Sequence, residues 1–203
     1  MSAPRPRPRP RPRSVVLVLT ALLTAVTLGL LGFLVPASAS AAPYCGITWG
    51  SLAKDSGGAA PVRGAQLVNV RAGEQSCYDR LVLDVRGPAN FSSWRVRYVS
   101  QVTQDASGRP VPLRGGAFLQ VSFGASDHTD AGALTYRPSN RAELVNVAGY
   151  RTFRQVAWAG SSEGVSQVGL GVRARLPFRV FALTGIPGSP NGTRVVIDVA
   201  HAW

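Results

Sequence analysis

The chain has 203 residues, with 22 Lys or Arg against 10 Asp or Glu, so its formal charge is +12 at pH 7. All but one of the basic residues are Arg, Lys54 being the exception, and no basic run, recognition helix or zinc-ligand spacing accompanies them. This pattern excludes the usual nucleic-acid-binding classes, and we expect no nucleic-acid partner.

The N-terminal residues have the order of a secretory signal. Five arginines alternate with proline, an apolar run covers residues 15–35, and a stretch of small residues ends near Ala41. We predict cleavage after Ala41, because Ala39 and Ala41 fit an A-x-A site; cleavage after Ala39 is the alternative. The apolar run is also long enough, at about twenty residues, to span a bilayer. Residues 1–41 are therefore a signal peptide or, alternatively, an uncleaved membrane anchor.

Residues 42–203 are predicted to form a single domain that works outside the cytoplasm, secreted or associated with the cell envelope. Without the five N-terminal arginines, 17 basic residues remain against 10 acidic ones, a formal charge of +7. For an exported domain, the available anions are wall polymers, anionic lipids and acidic proteins. We expect contact with a membrane only if the N-terminal segment is kept as an anchor.

Cys45 and Cys77 are the two cysteines of the chain. An even pair in an oxidising compartment predicts a disulfide, here closing a loop of about thirty residues and contributing roughly 3–4 kcal/mol. A reactive thiol or a metal site would need further ligands, but there is no C-x-x-C motif, and His128 and His201 are distant in sequence. No metal and no cofactor are predicted.

Alternation of apolar and polar residues predicts strands throughout the domain, and no segment has a sustained helical period. Gly- and Pro-rich turns separate these strands at short intervals. The pattern indicates an all-β fold, a sandwich or a closed barrel, of about eight to ten mostly antiparallel strands. The predicted strands are residues 46–50, 66–71, 79–86, 94–102, 117–123, 144–147, 152–159, 167–176, 178–183 and 193–200.

Two short segments recur in the chain. Residues 80–85 (RLVLDV) are matched by residues 194–199 (RVVIDV), and residues 67–70 (LVNV) recur identically at 144–147. The two offsets differ, which excludes a tandem array. Either the copies are equivalent strands of two similar sheets, or they are common β-strand sequences.

Several arginines alternate with apolar residues along predicted strands. Arg95 and Arg97 flank a valine, and Arg173 and Arg175 flank an alanine. In residues 150–158, Arg154 is predicted on the same face as Val156 and Trp158. Were these strands neighbours in one sheet, the arginines would form a row on its outer face, suited to binding carboxylates or phosphates. The alternative is that they are the ordinary solvent-facing charges of amphipathic strands.

An enzymatic function has little support in the sequence. His128 lies in S-D-H-T-D, which is typical of a turn, and neither a G-x-S-x-G nor an H-E-x-x-H motif is present. Asp84 and Asp198 have matching surroundings and could form a carboxylate pair, although an Asp near an Arg in a strand is usually an ordinary strand charge. We predict that the protein is not an enzyme.

Residues 79–87 (DRLVLDVRG), 147–154 (VAGYRTFR), 169–173 (GLGVR) and 194–201 (RVVIDVAH) resemble the AMIN-like domain of exported actinobacterial proteins. The resemblance extends over residues 44–203. AMIN domains proper are β-sandwiches of two similar sheets that localise partner enzymes or secretins by contacting peptidoglycan. The resemblance therefore implies a two-sheet β-sandwich with a non-catalytic role in the cell envelope.

Together these features lead to one main hypothesis. The domain binds peptidoglycan or another anionic wall component through an Arg-bearing sheet face that includes Arg95, Arg97, Arg154, Arg173 and Arg175. The second hypothesis is a structural or interaction module that docks on another exported protein.

Overall fold

A computed structural model describes residues 44–203. The predicted signal, its cleavage position after Ala41 and the anchor alternative lie outside the described residues. No helix within residues 44–203 has the length and hydropathy that a bilayer crossing requires.

The described chain is almost entirely β-structure, with one short 3-10 turn at Gly57–Ala59. The strands are β1 (Lys54–Ser56), β2 (Gln66–Glu74), β3 (Tyr78–Arg86), β4 (Trp94–Val99), β5 (Val102–Thr103), β6 (Pro110–Val111), β7 (Ala117–Phe123), β8 (Phe153–Ser162), β9 (Val165–Val172), β10 (Phe178–Ile186) and β11 (Ser189–Ala200).

Two antiparallel sheets contain nine of these strands. Sheet A has the order β1-β4-β7-β9-β8, and sheet B has the order β10-β11-β3-β2. The two remaining strands form a small hairpin, β5-β6. The architecture confirms the predicted all-β, two-sheet sandwich.

The core lies between the inward faces of the two sheets. In β3, Leu81, Leu83 and Val85 are fully buried, and in β7 the same holds for Leu119 and Val121. This spacing of two residues is the alternation that predicted the strands. Four buried phenylalanines add the largest apolar surfaces: Phe91, Phe123, Phe153 and Phe178.

Several predicted strand boundaries need correction. Residues 144–147 are not a strand: they run beside the edge of β8, where the Leu144 N–H donates to the Val156 carbonyl at 2.8 Å. Residues 46–50 are a turn with isolated bridges, because Cys45 and Gly46 have positive φ angles. The predicted strand at 94–102 is interrupted between Val99 and Val102, and the one at 167–176 ends at Val172. The short strands β1 and β6 are not among the predicted strands.

The recurring segments are not equivalent strands of two sheets. Residues 80–85 lie in β3 and residues 194–199 in β11, and these strands are antiparallel neighbours within sheet B. Of the second pair, residues 67–70 lie in β2 whereas residues 144–147 lie in a loop.

The disulfide between Cys45 and Cys77 is confirmed, with a Cα–Cα distance of 6.4 Å. It attaches the N-terminal segment to the residue that precedes β3. The attachment brings Trp49 beside Tyr78, with ring centres 5.9 Å apart.

Candidate functional site

The outer face of sheet B carries a cross-strand row of three charged residues. Arg179 of β10, Asp198 of β11 and Arg80 of β3 are register partners, so their side chains lie side by side on one face. The row follows from the repeated R-x-x-x-D sequence: when two such strands pair antiparallel, the Arg of one lies opposite the Asp of the other.

Asp198 holds both guanidinium groups in place. Its side chain is fully buried and accepts two hydrogen bonds from Arg80, Nε to Oδ1 at 2.6 Å and Nη2 to Oδ2 at 2.9 Å. The Nε of Arg179 donates to Oδ2 at 2.8 Å. The bond to Asp198 raises the pKa of Arg80 above its ordinary value. One buried anion thus orients two cations, leaving a surplus of positive charge at the surface.

Three aromatic rings alternate with these two arginines. The Arg179 guanidinium lies 5.4 Å from the Trp49 ring centre, 5.3 Å from that of Tyr78 and 5.1 Å from that of Phe181. Arg80 lies 5.1 Å from Tyr78 and 5.5 Å from Phe181. These are cation–π distances, and the packing restricts the rotamers of both arginines.

Two further arginines extend the charged surface towards the other end of the sheet. Arg71 of β2 makes a bidentate pair with the nearly buried Asp84, at 2.8 and 2.9 Å, and the bond raises the pKa of Arg71. Arg194 is the register partner of Asp84 but bonds instead to the carbonyl oxygens of Gly185 and Thr184. Its charge is therefore not matched by Asp84.

We call this surface the Arg–aromatic face. With four arginines and two aspartates, it has a formal charge of +2, and its geometry suits an anion with an apolar or sugar-like neighbour. Its members are Trp49, Arg71, Tyr78, Arg80, Asp84, Arg179, Phe181, Arg194 and Asp198.

The five arginines predicted from the sequence do not form one row. Arg95 and Arg97 lie on β4, which β7 and β9 separate from the Arg154 strand, β8. Arg95 pairs with Asp55, and Arg97 makes no hydrogen bond or ion pair within residues 44–203. Arg154 lies in a bulge of β8 and donates to three backbone carbonyls.

Arg173 and Arg175 follow β9 and are not part of any strand. Arg173 donates to the carbonyl oxygen of His201, and Arg175 donates to that of Ser51 and stacks over Tyr98 at 4.7 Å. Both arginines therefore connect the segment after β9 to other segments, Arg173 to the C-terminal residues and Arg175 to the segment before β1.

The centre of sheet A's outer face is covered by the chain itself. Gly169 and Gly171 of β9 leave room for the segment after the β5-β6 hairpin: a methyl group at Gly169 would lie 2.9 Å from Leu113, and one at Gly171 would overlap the Arg114 carbonyl. Gln155 bonds this segment, accepting from the Arg114 N–H at 2.7 Å. A polymer would therefore meet this covering segment and not the sheet.

Sequence reasoning missed Arg71, Arg80, Arg179 and Arg194 as site residues. For Arg80 and Arg194 the signal is the duplicated R-x-x-x-D segment, whose two copies pair antiparallel; Arg71 and Arg179 lie outside it. Trp49, Tyr78 and Phe181 had no such signal, because the disulfide and the sheet order bring them together from distant parts of the chain.

His128, the candidate of the enzymatic alternative, does not have the geometry of a catalytic triad. Ser126 Oγ and Asp127 Oδ1 both contact its Nδ1 atom, at 2.9 and 2.8 Å. A triad needs the nucleophile and the acid on opposite ring nitrogens. The other pair of that alternative, Asp84 and Asp198, is occupied by arginines.

Glu74, Asp79 and His201 are close enough, within 4.8 Å, to be considered as metal ligands among the described residues. Asp79 Oδ2 already accepts the N–H groups of Thr152 and Phe153, at 2.6 and 2.8 Å, and Oδ1 bonds His201 Nε2 at 2.9 Å. His201 Nδ1 is buried without a partner, whereas a metal-bound histidine normally donates its second N–H. We interpret this cluster as a structural junction.

Comparison with family models matches residues 65–201 to the AMIN-like domain. The matched region runs from the residue before β2 to His201 and includes the whole Arg–aromatic face except Trp49. No curated protein matches the chain.

Proposed function

The chain belongs to the AMIN-like family, and on that premise we propose that it binds an anionic polymer of the cell envelope, such as peptidoglycan, through the Arg–aromatic face. Domains of this family are in general non-catalytic, wall-related modules associated with exported proteins. The proposal adds a ligand class and a surface to that general role.

The observation that carries the proposal is the alternation of three rings with two guanidiniums above the buried Asp198. Arg179 uses only its Nε for Asp198, and its two terminal nitrogens make no hydrogen bond within residues 44–203. These nitrogens are suited to a carboxylate or phosphate. The adjacent Trp49 and Phe181 rings offer apolar surface for a sugar ring.

Preorganisation supports the same surface. Because Asp198 and the aromatic rings already fix Arg80 and Arg179, a ligand need not immobilise two long side chains on binding. Immobilising such a side chain costs about 0.5–1.5 kcal/mol. Arg97, by contrast, is exposed and makes no bond that would fix it within the described residues.

The arginines proposed from the sequence define the competing surface on sheet A. Arg95 and Arg97 are adjacent on the outer side of β4, next to Asp55. They remain a second candidate surface, and they provide a matched comparison because two positive charges can be removed from either sheet.

The experiment is co-sedimentation of the protein with purified cell-wall sacculi across a salt series. One double variant, Arg179→Ser with Arg194→Ser, removes two charges from sheet B, and another, Arg95→Ser with Arg97→Ser, removes two from sheet A. We expect salt-sensitive pelleting that the sheet B variant loses and the sheet A variant keeps. Circular dichroism verifies that both variants are folded.

If the sheet A variant loses salt-sensitive pelleting and the sheet B variant keeps it, the ligand binds to sheet A. Absence of salt-sensitive pelleting by the unchanged protein would reject wall binding altogether.

A further inference from the structure

Most sheet edges of the described chain are short or covered. At the edge of β8, Trp158 N–H donates to the Arg141 carbonyl at 2.7 Å, and Leu144 N–H donates to Val156 at 2.8 Å. The start of β2 is covered by Ser126, whose carbonyl accepts the Leu67 N–H at 2.7 Å. The remaining edge of sheet A, β1, has three residues. Covering edges in this way prevents unintended strand pairing.

β10, the other edge strand of sheet B, has nine residues and little cover. Its outer side is covered only at the first residue, where Phe178 N–H donates to the Gly50 carbonyl at 2.9 Å. Within residues 44–203, no other segment pairs with β10 on that side.

The hydrogen bond of Phe178 shows which backbone N–H groups of β10 point away from β11 and are free to pair. Phe178 directs its N–H away from β11, and the backbone direction alternates along a strand, so Val180 and Ala182 direct their N–H and C=O groups the same way. Thr184 ends this open stretch, because its carbonyl accepts a hydrogen bond from Arg194 and a bulge follows. A guest strand would therefore pair with about five residues.

The side chains along this edge are apolar and positively charged. Leu183 is 37% exposed, and Phe181 lies two residues before it on the same face. At the start of the strand, Arg179 has terminal nitrogens without a partner in the described chain, and Lys54 Nζ lies 5.0 Å from the Phe178 ring centre. The acid of this row, Asp198, is fully buried.

We propose that the open edge of β10 accepts an extended segment of another exported protein, with acidic and apolar side chains, as a fifth strand of sheet B. Backbone bonds to Val180 and Ala182 hold the segment, an acidic side chain pairs with Arg179, and apolar ones pack on Phe181 and Leu183. This docking shares Arg179 and Phe181 with the Arg–aromatic face but does not rest on wall binding, and the variants at Ala182 and Leu183, outside that face, test it separately.

Charge favours such a partner over a second copy of this chain. Two copies would bring together two domains that each have a formal charge of +7 over residues 42–203. An acidic segment is attracted to the same surface.

The test combines peptide selection with an edge-blocking variant. The protein is purified from cells that express the full chain, so that any processing of its N-terminus has taken place. A library of short random peptides is then selected for binding to it, and the affinity of each enriched peptide is measured by fluorescence anisotropy. Ala182→Pro removes an N–H that β11 does not use, so the sheet should persist while the guest strand is blocked. Ala182→Val, which keeps the N–H, is the matched control.

We expect enrichment of peptides that alternate acidic and apolar residues, binding to Ala182→Pro about tenfold more weakly, and unchanged binding to Ala182→Val. Bound peptide should also protect the Val180 and Ala182 amides from hydrogen exchange. Should Ala182→Pro fail to fold, Leu183→Glu provides the second variant: this exposed position tolerates the change, and the new charge repels an acidic peptide.

Three results would overturn the proposal. The first is the absence of enriched peptides, and the second is equal binding of those peptides to the blocked variants. The third is a concentration-dependent dimer in sedimentation equilibrium that Ala182→Pro abolishes, since this would assign the edge to a second copy.

Discussion

Asp79 joins three distant parts of the chain through one buried carboxylate. Asp79 is the second residue of β3. Its carboxylate accepts the N–H groups of Thr152 and Phe153 at the start of β8 and bonds His201, the residue after β11. His201 in turn donates its backbone N–H to the Cys77 carbonyl at 2.9 Å. The C-terminal residues are therefore fixed to the disulfide end of sheet B by side-chain and backbone bonds together.

Asp79→Ala should strongly destabilise the fold. The change leaves the Thr152 and Phe153 N–H groups and the His201 ring without their acceptor in a buried place. We expect the free energy of unfolding to fall by about 3–5 kcal/mol, measured by urea denaturation. Asp105→Ala, at an exposed turn, is the control and should change the free energy of unfolding little. If the two variants lower it equally, Asp79 does not have the structural role described above.

Tyr136 makes stability depend on pH in the alkaline range. Burial raises the pKa of Tyr136 from 10.0 to about 12. The folded state keeps this proton at a pH where the unfolded chain has lost it, so the stabilisation is complete below pH 10 and is lost as the pH rises towards 12. Stability measured by denaturation should fall over this window, and less steeply in Tyr136→Phe. An identical slope in the variant would exclude Tyr136 as a source.

At the scale of elements, the glycines of β9 decide what covers sheet A. Gly171 lies under the Arg114 carbonyl, so Gly171→Ala should displace the segment after β6 and reduce stability by about 1–3 kcal/mol. Gly73→Ala is the matched control, because a methyl group there meets only Gln75 at 3.7 Å. Thermal denaturation compares the two; equal shifts would show that strand propensity, and not the overlap, causes the loss.

The disulfide supports an element that has few backbone bonds of its own. Residues 44–50 make only isolated bridges, yet they place Trp49 over Arg179. Replacing Cys45 and Cys77 with Ser should lower stability by about 3–4 kcal/mol, given a sequence separation of 32. Tryptophan fluorescence should also report a more solvated Trp49. Stability unchanged within error would mean that the segment holds its place without the bond.

Alternation along the sequence was sufficient to predict the strands that have a core face and a solvent face. β7 was predicted with its observed bounds, because Leu119, Val121 and Phe123 alternate with more polar residues. Residues 67–70 and 144–147 show the limit: the same four residues form a strand in one place and a loop in the other. Only the neighbouring strand, β3 in the first case, makes the difference.

The candidate site could be predicted only in its chemistry. An Arg-bearing sheet face was expected, but two strands, β7 and β9, separate Arg95 and Arg97 from Arg154. The duplicated segment contains Arg80 and Arg194, without the information that the two copies pair with each other, and Arg71 and Arg179 lie outside it. Sheet order depends on long-range packing, which a local pattern does not encode.

At the scale of the whole domain, the outer faces of sheet A and sheet B differ in how much of each is covered by other parts of the chain. Sheet A is covered at its centre, where Gln120, Gln155 and Gln167 are buried although they point away from the core. Sheet B is uncovered over its charged rows, and its edge strand β10 is open. The centre of the outer face is therefore accessible in sheet B, whereas in sheet A the exposed arginines are Arg95 and Arg97 at the β4 side.

This asymmetry predicts how binding to an anionic polymer should depend on salt. A nucleic acid releases about 0.7–0.9 counterion for each cation that it pairs with, and we apply the same value to an anionic wall polymer. The Arg–aromatic face has a formal charge of +2, so the logarithm of the affinity should fall with the logarithm of the salt concentration with a slope of about −1.4 to −1.8. Attraction by the whole domain, with its charge of +7, would instead give a slope of about −5 to −6.

Arg179→Ser distinguishes these two cases. If the ligand occupies the Arg–aromatic face, losing one of its two net charges should reduce the slope by about half, because few other charges take part. Arg137→Ser, which removes one charge outside this face, should leave the slope unchanged. The measurement is a sacculus-binding titration at several salt concentrations. If both variants reduce the slope by the same small amount, the affinity depends only on the overall charge of the domain. The arginines that the buried aspartates of sheet B hold in place would then have no specific part in recognition.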